Sequence, residues 1–449
     1  MHMPSDAFSL PCWRQAPQQF LQALFAIAVA RARPLQALRG HLPTPPKGRT
    51  VVVGAGKAAA AMAQAVEALW PPEAPLSGVV VTRYGHVPAR PAALRAAITV
   101  LEAAHPVPDA ASVAASQAVL QAVQGLSRDD LVLCLISGGG SSLLSLPAPG
   151  LTLAEKQRIH RQLLLSGASI AEMNCLRKHL SAIKGGRLAQ ACAPAQLLTL
   201  AISDVPGDDA SIIASGPTVP DASTCAQALE VVQRRGIELP PLAHAALRQG
   251  LWESAKPGDA CFAHSRFQLV ATPRQALEAA AEAARAVGLA TYVLADDMEG
   301  EARDVALVHA AIARNVQRCN QPFAAPCLLL SGGETTVTVD ARLPLEQLGQ
   351  GGRAGEFGLG LLQALQGMPG IWALAADTDG IDGTQSNAGV CLGPHTWLEA
   401  NRLGLDVRQA LRRHDAFGFF QAVGGLVHTG PTFTNVNDFR ALLIDAKPA

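Results

Sequence analysis

Leu131-Val132-Leu133-Cys134-Leu135-Ile136-Ser137-Gly138-Gly139-Gly140-Ser141-Ser142-Leu143-Leu144 is the stretch on which the reading of this chain turns. Six apolar residues give way to one serine, three glycines and two more serines before apolar residues resume. An apolar run bounded by a turn in this way predicts a buried strand delivering a glycine-rich connection. Adjacent glycines allow positive φ and let N–H groups turn inward, while Ser137, Ser141 and Ser142 add donors without charge. Ser137, Gly138, Gly139, Gly140, Ser141 and Ser142 are therefore candidate contacts for an oxyanion, a phosphate or a carboxylate. An ordinary tight strand-to-helix connection would look the same in isolation.

Upstream, Thr50 to Val53 reads as a short strand running into Gly54-Ala55-Gly56-Lys57 and an alanine-rich helix to Trp70, the first half of a βαβ unit. Gly78 to Thr82 and Ile98 to Leu101 are the next strands, and a helix from Ala110 to Val123 leads back to the opening stretch. Gly54 and Gly56 fit a dinucleotide fingerprint. An NAD site wants an acid at the end of the second strand, whereas Thr82 and Arg83 stand there and hint only at a 2′-phosphate. Lysine is scarce in this chain beside arginine, so Lys57 in a tight turn at a helix start reads as a point charge for a phosphate or carboxylate.

Downstream, Thr152 to Leu165 and Ile170 to Ser181 read as helices. Spacing of three and four puts Asn174, Arg177 and Lys178 on one side, either as ligand contacts or as a solvated face. A buried strand at Gln196 to Ile202 ends in Ser203-Asp204-Val205-Pro206-Gly207-Asp208-Asp209. Open α/β sheets bind ligands at that edge of a strand. Asp204 and Asp208 are thus candidate Mg²⁺ ligands, with turn capping the competing role, above all for Asp209. Ser215, Gly216 and Thr218 form another hydroxyl-bearing turn. Glu253 to Ala263 reads as a domain linker.

A second alternation follows, with strands at Phe267 to Ala271, Ala290 to Leu294, Cys327 to Leu330, Thr335 to Val339, Ile371 to Ala376 and Leu442 to Ile444. Pro17 to Ala32 is an amphipathic helix, and Asp406 to Val423 reads as helical. The turns again carry polar side chains: Ser331 to Glu334, Gly349 to Glu356 with Arg353, Asp377 to Gly383 with Asp379, and Thr429 to Asp438 with Thr432 and Asn435. The acids of DTDGIDG do not make a calcium loop, since Ile381 and Ala388 stand where ligands would be needed. Catalytic or magnesium-site acids suit them better. No GxxxxGK[ST] is present, which excludes a P-loop enzyme.

With 449 residues, 49% of them hydrophobic, and a formal net charge of zero, the chain has room for two α/β domains. No basic segment marks a nucleic-acid binder, and no apolar run reaches the length of a membrane span. The expected partner is a small molecule, with no nucleic acid and no membrane. Nine cysteines without a CxxC pair suggest neither a disulfide framework nor a zinc site, and the expectation is a cytoplasmic protein. The sequence leaves the oligomeric state open and allows a homodimer.

Taken in order, VVVGAGKAA, SGGGSSLL, NCLRKHLSAIKGGRL, AISDVPGD with IIASGPT, LSGGETTV, GGRAGEF, ADTDGIDG and TGPTFTNVND resemble the glycerate 2-kinase family, whose C-terminal module is called MOFRL. The likeness runs from about residue 15 to 445. It implies a larger N-terminal Rossmann-like domain over 15–255, a smaller MOFRL domain over 265–445, and an active site in the cleft between them. It also implies phosphoryl transfer from ATP, with Mg²⁺, to the 2-hydroxyl of D-glycerate. The family's lysine falls on Lys57, its arginine on Arg353 and its acids on Asp204 and Asp379. Two departures stand out. Ala354-Gly355 occupies the place of the family's Asn-Gln, and Phe433 that of a glycine. An NADPH-dependent hydroxypyruvate reductase is the alternative activity, and a ligand sensor without catalysis a third.

Overall fold

The computed structural model describes residues 10–339 and 344–446. It forms two compact units, Pro34–Val270 and Met1–Arg33 with Ala271–Ala449. Among the described residues no helix is long and apolar enough to cross a membrane.

The first unit is built on β1 (Thr50–Ala55), β2 (Ser77–Arg83), β3 (Ile98–Ala103), β4 (Leu131–Ile136), β5 (Gln196–Ile202) and β6 (Ser265–Ala271), in spatial order 3-2-1-4-5-6. Strands β1 to β5 pair in parallel. Every residue of β1 and β4 is buried, as a parallel sheet covered on both faces requires. The strand order reverses between β1 and β4. This is the switch point, where turns from both strands open onto one crevice. The two turns read from sequence as ligand contacts are the ones that leave β1 and β4.

The second unit holds β7 (Ala290–Ala295), the short ladder of β8 (Gly300–Glu301) with β10 (Thr335–Thr336), β9 (Cys327–Gly333), β11 (Ile371–Asp377), β12 (Gly389–Leu392), β13 (Leu426–Val427) and β14 (Asp438–Ile444). Its main sheet runs 13-12-11-14-9-7 and is mixed, with β14 antiparallel to both β11 and β9, and β7 parallel to β9. Helices Ala302–Cys319 and Arg353–Leu365 pack together over Leu329, Ala373 and Leu442. The alternate residues Leu328, Leu374 and Leu443 are buried too, so both faces of the sheet are covered.

Two elements fall in other units than the sequence division over 15–255 and 265–445 assigns. Helix Pro17–Ala32 belongs to the second unit, where Phe25 packs on Phe439 with ring centroids 5.6 Å apart and Thr434 Oγ1 donates to the Ala32 carbonyl at 2.7 Å. An amphipathic pattern shows that a face is buried but not against what. Strand β6, expected to open the second layer, instead extends the first sheet, and the stretch read as a linker ends in a 3₁₀ turn at Ala260–Phe262. The helical reading of Asp406 to Val423 becomes two helices, Val407–Arg413 and Ala416–Ala422, broken at His414 in a left-handed conformation.

Candidate active site

In the first unit the two switch-point turns are tied to each other. The Lys57 N–H donates to the Gly138 carbonyl at 2.7 Å and the Ala58 N–H to Ser137 Oγ at 2.9 Å. Gly54 and Gly56 serve this close approach, because a Cβ on Gly54 would collide with the Leu135 carbonyl and one on Gly56 with Ser137 Oγ. The knot has a chemical consequence. A pyrophosphate at the start of helix Ala59–Leu69 would need the amides of residues 57 to 59. They are already donating to Gly138, Ser137 and Gly56. Thr82, at the end of β2, spends its hydroxyl on the Lys57 carbonyl at 3.3 Å. The dinucleotide fingerprint is here a packing device.

The β4 turn continues into a chain of side chains. Gly139 takes φ +79°, which lets the backbone reverse into helix Gly140–Leu143. Ser142 Oγ donates to the Gly139 carbonyl at 3.1 Å. Ser141 Oγ lies 2.8 Å from Ser215 Oγ, which donates to Asn174 Oδ1 at 2.9 Å. Lys184 is fully buried beneath the turn and donates to the Ser141 and Leu144 carbonyls at 2.7 and 2.6 Å. Lys156, also fully buried, donates to the Leu146 carbonyl at 3.4 Å. Burial lowers the pKa of both, to about 7 for Lys156, and the neighbouring cation Arg177 adds to the shift in each.

Helix Ile170–His179 sends neighbouring residues to different places. Asn174 joins the serine chain, whereas Lys178 turns into a buried ion pair with Asp221 at 3.1 Å and is not solvated. Arg177 lines a small cavity with Gly139, Ser141, Ser142, His105 and His160. Thr218 is held by Thr199 at 2.9 Å, and Gly216 accepts the Gly186 N–H at 2.8 Å, so both are structural supports. After β5, Asp209 caps its own turn by accepting the Ser211 N–H at 2.8 Å; Asp204 and Asp208 stand half-buried in the same turn. A wider groove of about 880 Å³ lies at the opposite edge of the sheet, lined by Leu131, Gln196 and Phe267. The glycine–serine turns all lie at the other edge, where the chemistry-bearing residues are.

The second unit gathers its polar turns around Arg353. The guanidinium donates to Asp438 at 2.7 Å, Glu334 at 2.7 Å and Asp377 at 2.8 Å. Burial alone would lower its pKa, but Asp438, Asp377 and Glu334 outweigh this and raise it. Arg440 pairs with Asp438 from the far side. Asp379 accepts the Ile381 N–H at 2.9 Å, and its own N–H donates to Asp377 at 3.0 Å. Thr432 donates its hydroxyl to the Thr378 carbonyl at 2.6 Å, and Asn435 accepts the Asn437 N–H at 3.2 Å. Asp382 accepts the N–H groups of Ala354 and Gly355 at 3.0 and 2.8 Å, and burial raises its pKa to about 7. Helix Arg353–Leu365 is thereby capped from within.

Both departures from the family pattern have a structural side. A Cβ on Gly355 would lie 2.6 Å from Ala416 Cβ, so no glutamine fits at this position as the chain packs here. Phe433 takes φ +58°, the left-handed region that explains a glycine in the family. Sequence reading misses His105, His160 and Lys156 as site residues. His160 and Lys156 lie one helical turn apart on Leu153–Leu165 and look like part of a solvated face.

An α/β enzyme acting on small anionic substrates is the class these two constellations define. Residues 20–248 match the model of a domain of unknown function, DUF4147, and residues 327–438 that of the MOFRL family. The D-glycerate 2-kinase of Thermotoga maritima is 37% identical over 90% of this chain and 93% of its own length. A glycerate kinase crystal structure from the same organism superposes with a TM-score of 0.85, at 35% identity, covering 96% of this chain and all of the other. A protein of Agrobacterium vitis, provisionally named a hydroxypyruvate reductase, is 53% identical over 95% of this chain and 94% of its own. The chain belongs to the glycerate 2-kinase family.

Proposed function

We propose that this protein is an ATP-dependent kinase that phosphorylates the 2-hydroxyl of D-glycerate to give 2-phosphoglycerate. The observation that carries the reading is the knot between the β1 and β4 turns. It sets Lys57 at the switch point and spends the amides a dinucleotide would need. That geometry favours a lysine-assisted phosphoryl transfer over the hydride transfer of a reductase. The name of the relative from Thermotoga maritima points the same way.

In the reaction the 2-hydroxyl oxygen attacks the γ-phosphorus, the bond to the β,γ-bridging oxygen breaks, and ADP leaves. Catalysis of this kind rests on positioning and charge neutralisation. Lys57 offsets charge on the transferring phosphoryl group, and Arg353 keeps two further N–H groups beyond the three it gives to carboxylates. Asp379, buried and oriented by the Ile381 N–H, takes the hydroxyl proton. Asp204 and Asp208 would hold Mg²⁺, since one turn supplies oxygen-only donors of the kind a hard cation takes. Bound there, the ion would neutralise nucleotide phosphate charge. A cytoplasmic setting with free thiols suits the nine unpaired cysteines.

The test pairs two mixtures. ADP release from Mg-ATP that requires D-glycerate supports the kinase, and NADPH oxidation by hydroxypyruvate in its place revives the reductase.

A further inference from the structure

We propose that the cavity walled by Arg177, His160, His105, Gly139, Ser141 and Ser142 is the pocket for the carboxylate of the acceptor acid, and that Arg177 and His160 select acids over neutral polyols. The inference rests on the kinase reading and gives it a substrate orientation. The cavity measures about 160 Å³. At ~30 Å³ per water this is room for about five waters, well below the ~300 Å³ at which pockets for larger ligands begin. A three-carbon acid fits it, and a nucleotide does not.

Charge decides what kind of small molecule enters. Arg177 Nε is buried without a hydrogen-bond partner, and so is His160 Nε2. The guanidinium makes a long contact with Met173 Sδ at 3.9 Å. Burial lowers the pKa of Arg177, and no carboxylate acts on it. His160 is pushed down to about 3 by burial and then by Arg177, Lys156 and Lys184. Arg177 is a guanidinium on the cavity wall, its Nε buried and no acid among the groups acting on it, which is a costly arrangement for a protein interior. A bound anion offsets that cost. The planar fork of a guanidinium suits a carboxylate with two parallel hydrogen bonds. Neutral His160 adds a donor or acceptor without further charge.

The position suits the reaction as well. A Cβ on Gly139 would lie 2.9 Å from the His105 ring and 3.4 Å from Lys57 Cγ, so this glycine stands between the pocket wall and the lysine.

Calorimetric titration with D-glycerate and steady-state kinetics on the wild type, Arg177→Leu, Arg177→Lys and His160→Phe test the assignment, with glyceramide as the uncharged analogue. Loss of a charge-assisted contact should weaken D-glycerate binding about 10- to 150-fold in Arg177→Leu, with the KM for ATP unchanged. Arg177→Lys should recover part of the loss, and the preference for glycerate over glyceramide should shrink. His160→Phe, which fills the cavity from the other wall, should raise the glycerate KM even if Arg177→Leu fails to fold. Unchanged glycerate affinity in a folded Arg177→Leu, or in His160→Phe, overturns the pocket while leaving the kinase standing. A wild type that binds D-glycerate through Arg177 but releases no ADP overturns the kinase and keeps the pocket, and no binding at all removes both.

Discussion

Replacing Gly355 by glutamine restores the amide that the family pattern carries two residues after the arginine, and here it should damage the second unit. The added Cβ would lie 2.6 Å from Ala416 Cβ and 3.1 Å from Asp382 Oδ2. Carbon atoms in contact normally sit about 3.5–4.0 Å apart, so helix Ala416–Ala422 must retreat by roughly 1 Å. Overpacking of that size costs about 1–3 kcal/mol. The better helix propensity of glutamine returns at most about 1 kcal/mol. Each kcal/mol of net loss lowers Tm by about 2–4 °C in a unit of this size. Urea unfolding followed by circular dichroism measures the change, and Ala416→Gly supplies the control. If the two Cβ atoms collide, the double variant should recover stability with a coupling of about 0.5–3 kcal/mol. A Gly355→Gln protein as stable as wild type, with no coupling to position 416, would refute the packing argument.

Lys156→Met should change how stability depends on pH. The unfolded lysine keeps its proton up to its ordinary 10.5, whereas the folded one releases it near 7. Between those values the unfolded state binds more protons, so wild-type stability should rise with pH by up to about 1.4 kcal/mol per unit relative to Lys156→Met. Parallel urea curves for the two proteins from pH 7 to 10 would contradict this. Lys57→Ala should keep its fold and lose on the order of 10²-fold in turnover, checked by melting temperature and ADP release. Arg353→Ala should lose both activity and stability, the latter by about 3–5 kcal/mol, because buried Asp377 and Asp438 are left without their shared cation. Asp204→Asn should raise the Mg²⁺ concentration needed for half-maximal rate, and Asp379→Asn should lower kcat at unchanged metal dependence. Identical magnesium curves would end that division of roles.

Much of the first sheet could be read from the chain because parallel strands buried on both faces leave unbroken apolar runs, as in β1 and β4. Strand β14 is legible only at Leu442 to Ile444, because buried Asp438 and Arg440 interrupt its apolar pattern and pair with each other inside the protein. Strand β12, four residues long, carries too little pattern to be separated from a loop. The same limit applies to the site. Turns rich in glycine and serine announce themselves in one dimension, and so does a lysine beside them. The fates of Arg177 and Lys178 do not. Adjacent residues on a helix point about 100° apart, so one reaches the cavity and the other Asp221. His160 and Lys156 were hidden for the opposite reason, since a polar face turned inward reads like one turned to water.

The function turns on the identity of the phosphoryl acceptor and of the atom phosphorylated. Purified protein with Mg-ATP and D-glycerate, followed by ³¹P NMR of the product, tests it directly. ADP formation should depend on glycerate, and the product should be a single phosphomonoester on the 2-hydroxyl. Phosphorylation at the 3-hydroxyl, or no glycerate-dependent ADP together with NADPH oxidation by hydroxypyruvate, would contradict it.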